Sequence, residues 1–547
     1  MVHGIGQGPS TARAIAVSTA LCLALAAAQA TADTLTVDTS LDVAAEDGHC
    51  SLREAIINAN AGDQSGSSDC RAGTGPADSI SDTITFSPAL DGNPIVLSIA
   101  GAGENEAATG DLDISDLLMI EGNGPDRTII DADGIDRVIE VRDDEAALTT
   151  MSLRLAGITL RNGSVEAPGG GILSLGASTS LLIEDCVIEN NTALGAATSA
   201  LGGGVLTEGP AAITASRISG NLASASGGLI AAGGGLAANN NLLLRQVVLE
   251  GNRAESVTGA ARGGGVLATP GGGPVLVQDT IIRGNEAEGG EAIGGGLFAQ
   301  DLPSLFFQAG IERSEITGNT AIAPGGISAG GGIYIGAPGG LTVLNITVSG
   351  NSVGGGVSAS AAGGGIAVNE AGLLMNNSTV ADNSVSAGPD AEGGGLYVEG
   401  GGAVVNMANS ILAANTASEG GAPDCRGSTG SYGHNLLGSN AGCPGYSPGS
   451  GDIIGDVAGG GTAVDPALAP LADNGGRSRT MGLQMGSPAI DAGNPDASGA
   501  VTEICRESDQ RNVARPFDGD DDGTAVCDIG AFELSAVEIF RDRFEEP

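Results

Sequence analysis

The sequence predicts an all-β chain: a single-stranded right-handed parallel β-helix (a solenoid) with an N-terminal helical cap and an irregular, disulfide-stapled C-terminal region. Three observations carry this. First, one unit of thirty-odd residues is written eight times between Gly169 and Asn415. It opens on glycine runs ending at Gly171, Gly204, Gly235, Gly265, Gly296, Gly332, Gly365 and Gly395, each followed by an aliphatic residue. Second, every unit closes on asparagine (Asn191, Asn221, Asn252, Asn285, Asn319, Asn351, Asn383, Asn415), with an aliphatic residue three places earlier. A fixed period of this size signals a solenoid or a propeller. Third, the chain has 4 Tyr, 8 Phe and no Trp, which disfavours a propeller with its aromatic blade signatures.

Within a unit, runs such as Leu181-Leu182-Ile183 and Val275-Leu276-Val277 are too short for helices and rich in strand formers. Three such runs fit in each unit, so the pattern predicts three strands per coil. Stacked coils then place like residues about 4.8 Å apart. The aliphatic columns fill the interior, and the asparagine column forms a ladder of amides that both donate and accept. Five places before each asparagine the residue is usually small, with Cys186 where most other units carry Ser or Thr and two carry Val247 and Ile346. The linkers between asparagine and glycine runs, such as Leu194 to Leu201 and Ser224 to Ala232, hold mostly Ala, Ser and Gly, which argues against a deep cleft.

In chain order, residues 1–32 have the form of a secretory signal: Arg13, an apolar run from Ala14 to Ala28, then small residues suited to cleavage. Residues 33–80 hold a first strand (Thr34 to Val37) and a short helix. Ser51 and Glu54 have capping-box spacing, and Leu52, Ala55, Ile56 and Ala59 share a face. That helix suits a lid over the first open coil. The solenoid is expected over 81–420, with about three irregular coils before the regular repeats of 169–415. An irregular region follows over 421–535, then a tail over 536–547. No run after the signal is long and apolar enough to span a membrane.

The formal charge is −43, and all 22 basic residues are Arg. Such a chain repels nucleic acid and anionic membranes. Its expected partners are polysaccharide or cell-surface components. Export permits disulfides. Six cysteines outside the repeats fall in neighbouring pairs, giving Cys50–Cys70, Cys425–Cys443 and Cys505–Cys527, one of the 15 pairings open to six cysteines. Cys186 is left as a buried, inert thiol.

The run Cys50-Ser51-Leu52-Arg53-Glu54-Ala55-Ile56 resembles the CSLREA-type N-terminal segment of exported bacterial proteins. The succession Gly433-His434-Asn435-Leu436-Leu437-Gly438, Leu471-Ala472-Asp473-Asn474-Gly475-Gly476, Gly486-Ser487-Pro488-Ala489-Ile490-Asp491-Ala492-Gly493 and Cys527-Asp528-Ile529-Gly530-Ala531-Phe532-Glu533 is similar to the choice-of-anchor domain. That domain ends polymorphic outer-membrane-protein-like, right-handed parallel β-helix proteins of the pectate-lyase-like fold. The resemblance implies a secreted or surface-associated (outer-membrane) bacterial protein and no shared catalytic residues.

Two function classes follow: a non-enzymatic surface scaffold for adhesion, presentation or glycan binding, and a polysaccharide lyase or glycoside hydrolase on the same fold. Either enzyme needs converging acids, with a base or bound calcium. The repeats show no acid column. Glu184, Asp185 and Glu189 form the densest set and are expected to be solvated, so no catalytic residue is assigned. No organic cofactor is expected. Asp518, Asp520 and Asp522 with Gly523 open like a calcium loop, but the twelfth position carries Ile529, so an acidic turn is the competing reading. Arg511 and Arg515 are expected to pair with that acid cluster.

Overall fold

A computed structural model describes residues 33–74, 81–142, 152–305, 308–356, 360–386, 391–418, 421–496 and 503–535. The expected signal segment and C-terminal tail lie outside the described residues. One coil shows the plan: strand A Leu242–Arg245, strand B Val248–Glu250, strand C Arg253–Ser256, strand D Ala260–Arg262 and strand E Val266–Ala268. Each pairs in parallel with its counterpart in the next coil without slippage: Leu244 lies beside Val277, Leu249 beside Ile282 and Val266 beside Leu297. Among the described residues sheets A and B hold 13 strands each, sheet E 11, sheet C 9 and sheet D 7. The chain is a parallel β-solenoid, and three irregular coils precede the regular array, with A strands at Asp82–Phe86, Leu118–Glu121 and Ser152–Ala156.

The coil therefore has five strands rather than three, and the reason lies in the alanines. Sheets A, B and E enclose the main interior, into which Leu244, Leu249 and Val266 point. The segments expected to be linkers are strands C and D, which form a lateral arm. Alanines fill the space between C and D: Ala223, Ala225 and Ala254 meet Ala200 and Ala231. The other side of D packs on the outside of E, where Ala232 and Ile293 join Leu206, Leu267 and Phe298. Sheet E is thus buried on both faces. Short side chains allow C and D to approach closely, and two-to-four-residue alanine strands leave little hydrophobic pattern to detect.

The glycine and asparagine columns meet where this arm joins the main coil. In this coil the chain leaves at Asn252 and returns at Gly263-Gly264-Gly265, against Asn285 of the next coil. A Cβ on Gly265 would lie 2.7 Å from Gly296 O and 3.0 Å from Asn285 Nδ2, and one on Gly264 would lie 2.3 Å from Glu286 O. Only glycine permits that approach.

The amides form a continuous ladder. Asn285 Oδ1 accepts from Asn252 Nδ2 (3.0 Å) and Asn252 N (3.0 Å). Asn285 Nδ2 donates to Asn319 Oδ1 (2.9 Å) and Leu249 O (3.1 Å). The same bonds run from Asn191 to Asn415, and every rung is buried. The ladder ends on Asp424, whose Oδ1 accepts from Asn415 N and Nδ2. A final rung needs acceptors and no donor, which a carboxylate supplies. Burial pushes this carboxyl up to about 6. Across the window from roughly pH 4 to 6 the folded chain then holds more protons than the unfolded chain, so Asp424 makes stability fall as pH rises. Asp424→Asn should flatten that part of the slope, read as the difference in urea midpoint between variant and parent at about pH 4 and about pH 7.

A second ladder runs through the small-residue column. Cys186 Sγ donates to Glu184 O (3.2 Å) as Ser216 Oγ does to Thr214 O (2.7 Å), and Cys186 N donates to Ser216 Oγ (3.0 Å). Cys186 is buried and free, its thiol pushed up to about 11 by burial.

The helix Leu52–Ala61 caps the first coil with the full capping box between Ser51 and Glu54. All seven residues from Cys50 to Ile56 are buried. Cys50 bridges to Cys70, while Leu52, Ala55 and Ile56 enter the interior and Arg53 pairs with buried Asp42. All three expected disulfides are present, with Cα separations of 4.8, 5.4 and 6.5 Å.

The C-terminal region turns back and lies on the outside of sheet B. Leu483, Ala489, Ile529, Phe532 and Leu534 pack on Ile411, Ala413 and Leu436. Polar anchors accompany them: Asn345 Nδ2 donates to Ser508 O (2.9 Å), Thr347 Oγ1 to Gln510 Oε1 (2.7 Å), and Ala531 N to Thr379 Oγ1 (3.1 Å). Arg479 reaches furthest toward the uncovered coils, its Nε donating to the fully buried Glu315 (3.0 Å).

Candidate functional site

That fold-back creates a groove. Sheet B is covered from Glu315 onward and open before it, and the step between is marked by Leu471 and Arg479. The groove is wide open to solvent, spans about 820 Å³ and runs along the corner that follows strand B. The corner residue of each coil is left-handed: Asn190, Gly220, Gly251, Gly284, Gly318, Gly350 and Asp382, with φ between 56° and 64°. Five successive glycines leave this wall without side chains; a Cβ at Gly251 or Gly284 would meet nothing within 4 Å. Seven corners in register span about 29 Å at roughly 4.8 Å per coil.

The floor comes from outward-facing strand B residues: Glu189, Arg217, Ser219, Glu250, Arg283, Thr317 and Ser349. Register places opposite charges side by side. Glu250 accepts from Arg283 Nε (2.7 Å) and pairs with Arg217 on the coil before. The described lining holds three guanidiniums (Arg217, Arg283, Arg479) and three carboxylates (Glu189, Glu250, Asp382), with Arg217 and Arg283 on Glu250 and Arg479 on Glu315. Burial raises the Asp382 carboxyl above its ordinary value. The described lining contains no histidine and no aromatic ring. Such a surface offers alternating donors and acceptors in a row, suited to holding a polar chain by hydrogen bonds.

Sequence reasoning missed this groove because the step that bounds it, Leu471 and Arg479, comes from the far end of the chain, with Arg479 164 positions beyond its partner Glu315. The glycine before each ladder asparagine was a visible signal, at Gly220, Gly251, Gly284, Gly318 and Gly350. Glu184 and Asp185 are both exposed: Glu184 pairs with Arg154 (2.9 Å) and Asp185 occupies a left-handed corner, so neither enters the groove.

The acidic turn differs from the expected calcium loop. Asp518 and Asp520 each bring a carboxylate oxygen near Asp491, within 4.8 Å of one another, while Asp522 is not part of that group. Asp522 Oδ1 instead accepts from Thr524 N, and Asp518 closes the turn by accepting from Asp522 N and Gly523 N. Arg511 and Arg515 engage groups outside the turn. Arg511 pairs with Asp509 and stacks 3.7 Å over the Phe532 ring, and Arg515 pairs with Glu533 and donates to the Asp528 and Gly530 carbonyls. Their chemistry is structural; both are buried.

No family model matches the chain, and no curated protein matches it. Two solved structures are similar in chain path. The A-module of Azotobacter vinelandii mannuronan C-5 epimerase AlgE4 is 15% identical, covers 68% of this chain and 88% of its own, and has a TM-score of 0.36. The AlgE6 A-module from the same organism is 16% identical, covers 69% and 88%, and has a TM-score of 0.33. No residue role is carried across from either. Among the described residues no helix is long and apolar enough to cross a membrane, which says nothing about β-barrels.

Proposed function

We propose that this protein is an exported, surface-associated bacterial scaffold of the CSLREA/choice-of-anchor group that binds an uncharged linear polysaccharide in the sheet B groove without cleaving it. The carrying observation is the groove itself: straight, side-chain-free along one wall, and lined by guanidiniums and carboxylates in equal number. Sugar hydroxyls both donate and accept, so a row of alternating charged groups serves them well. A net charge of −43 opposes an acidic polymer, and the groove arginines Arg217 and Arg283 are already held by Glu250. A catalytic role is disfavoured because that same pairing fixes Glu250, the most central acid. Three disulfides suit an oxidising compartment.

A glycan array followed by titration tests the proposal. The Arg217→Ala/Arg283→Ala double variant should bind the selected glycan at least about tenfold more weakly, roughly 1.4 kcal/mol. Arg253→Ala, on the outside of the arm, should bind as the parent does. Equal binding by all three proteins would refute the groove as the site.

A further inference from the structure

The first two E strands differ from all later ones. In the later E strands the residue in the corresponding register is never acidic, as in Leu173, Leu206, Ala237, Phe298, Tyr334 and Arg426. In the strands Leu112–Ile114 and Ile139–Val141 that position is acidic: Asp113 and Glu140, paired directly across the ladder. Like charges so placed repel. Among the described residues no D strand precedes Ala200–Leu201 to cover these coils. The turn leading into Asp111 covers them instead, held down by Arg53, which donates to the Ala107, Gly110 and Asp111 carbonyls.

Beneath that turn Asp111, Asp113 and Glu140 each place a carboxylate oxygen within 4.8 Å of the others. All three are at least 95% buried, as is the neighbouring Asp136. Two guanidiniums answer them: Arg137 contacts Asp111 (3.3 Å) and Glu140, and Arg142 contacts Glu140. Four carboxyl groups against two guanidiniums leave two without a cationic partner. Independently, Asp113 Oδ1 is buried with no hydrogen-bond partner, while its Oδ2 accepts from Ala107 N (3.0 Å). A buried, unpartnered carboxylate oxygen is costly unless something positive meets it.

We propose that Asp111, Asp113 and Glu140 bind a hard divalent cation, calcium being the fitting choice for an all-carboxylate donor set in an exported protein. The ion supplies the missing cationic partner and its coordination sphere takes up Asp113 Oδ1. The ion ties the turn that Arg53 holds to the second E strand, so the cap and the first coils close around it. This site is separate from the acidic turn at Asp491, Asp518 and Asp520.

The test is calorimetric titration of calcium into the chelator-treated full chain, with Asp113→Asn and Asp518→Asn/Asp520→Asn as variants. The parent should bind calcium and melt higher with it than with chelator. Asp113→Asn should lose at least about tenfold in affinity together with the melting shift, and the double variant should keep both. Undiminished binding by Asp113→Asn, or no binding by the parent, overturns the proposal. Should Asp113→Asn fail to fold, terbium-soaked crystals of the parent decide. An anomalous peak among the three carboxylates supports the site, and its absence there overturns it.

Discussion

Arg53→Met is expected to lower the unfolding free energy by about 3–5 kcal/mol, because it strands a buried carboxylate. Arg53 is fully buried in the capping helix and uses all five guanidinium donors. Nε and Nη2 donate to the two oxygens of Asp42, Nη1 to Ala107 O and Asp111 O, and Nη2 also to Gly110 O. Methionine fills similar space but leaves Asp42, whose side chain is 1% exposed, without its cation and frees three carbonyls. The remaining backbone donors to Asp42, from Ser98 and Ile99, do not neutralise it. Urea unfolding of parent and variant measures the loss. Adding Asp42→Asn should recover part of it, because an amide in place of the carboxylate removes the buried charge. A loss below about 1 kcal/mol would mean the helix is not locked to the first coil through this contact.

Asn285→Ala is expected to cost about 3 kcal/mol. It removes the acceptor for Asn252 N and Nδ2 and the donor to Asn319 Oδ1 and Leu249 O, in the buried neck between main coil and arm; Asn252 Nδ2 keeps Ile218 O, while Asn252 N loses its acceptor. Asn285→Asp keeps the acceptor but cannot donate, and it buries a charge, so it should cost at least as much at neutral pH. A ladder interrupted midway should also weaken the arm before the main coil. Hydrogen exchange should therefore accelerate first at strands Arg253–Ser256 and Glu286–Glu288. Uniform acceleration across all five sheets would argue that neck and core unfold as one unit.

The repeating columns were legible because each plays one stereochemical role at one place in every coil. Interior aliphatics, ladder asparagines and the small-residue column, Cys186 included, stand where their spacing put them, and Ser51 and Glu54 cap the helix as their separation implies. What the columns did to each other was not legible. The three glycines and the asparagine lie about twenty residues apart in sequence yet meet at the neck, and only the folded coil shows that Asn285 excludes a Cβ from Gly265. The arm was read as linker because Ala260–Arg262 and its equivalents carry almost no hydrophobic contrast. The groove depends on the C-terminal region folding back over sheet B, a long-range docking with no local signature, whose contacts run through single polar residues such as Asn345, Thr347 and Arg479. The acidic turn illustrates the converse. Its spacing suggested Asp518, Asp520 and Asp522, but the turn points Asp522 away and brings in Asp491.

The most direct test of a groove that binds without chemistry is the fate of the bound glycan. The glycan selected by the array is incubated to equilibrium with the full chain, then recovered and compared with the input by size-exclusion chromatography and proton NMR. The groove with Glu250 held between Arg217 and Arg283 predicts an unaltered polymer, with the same length distribution and the same sugar signals, and saturable binding that weakens in Arg217→Ala/Arg283→Ala. A shortened or chemically altered chain, formed by the parent and abolished by Asp382→Asn or Glu250→Gln, would contradict it and make the groove an active site.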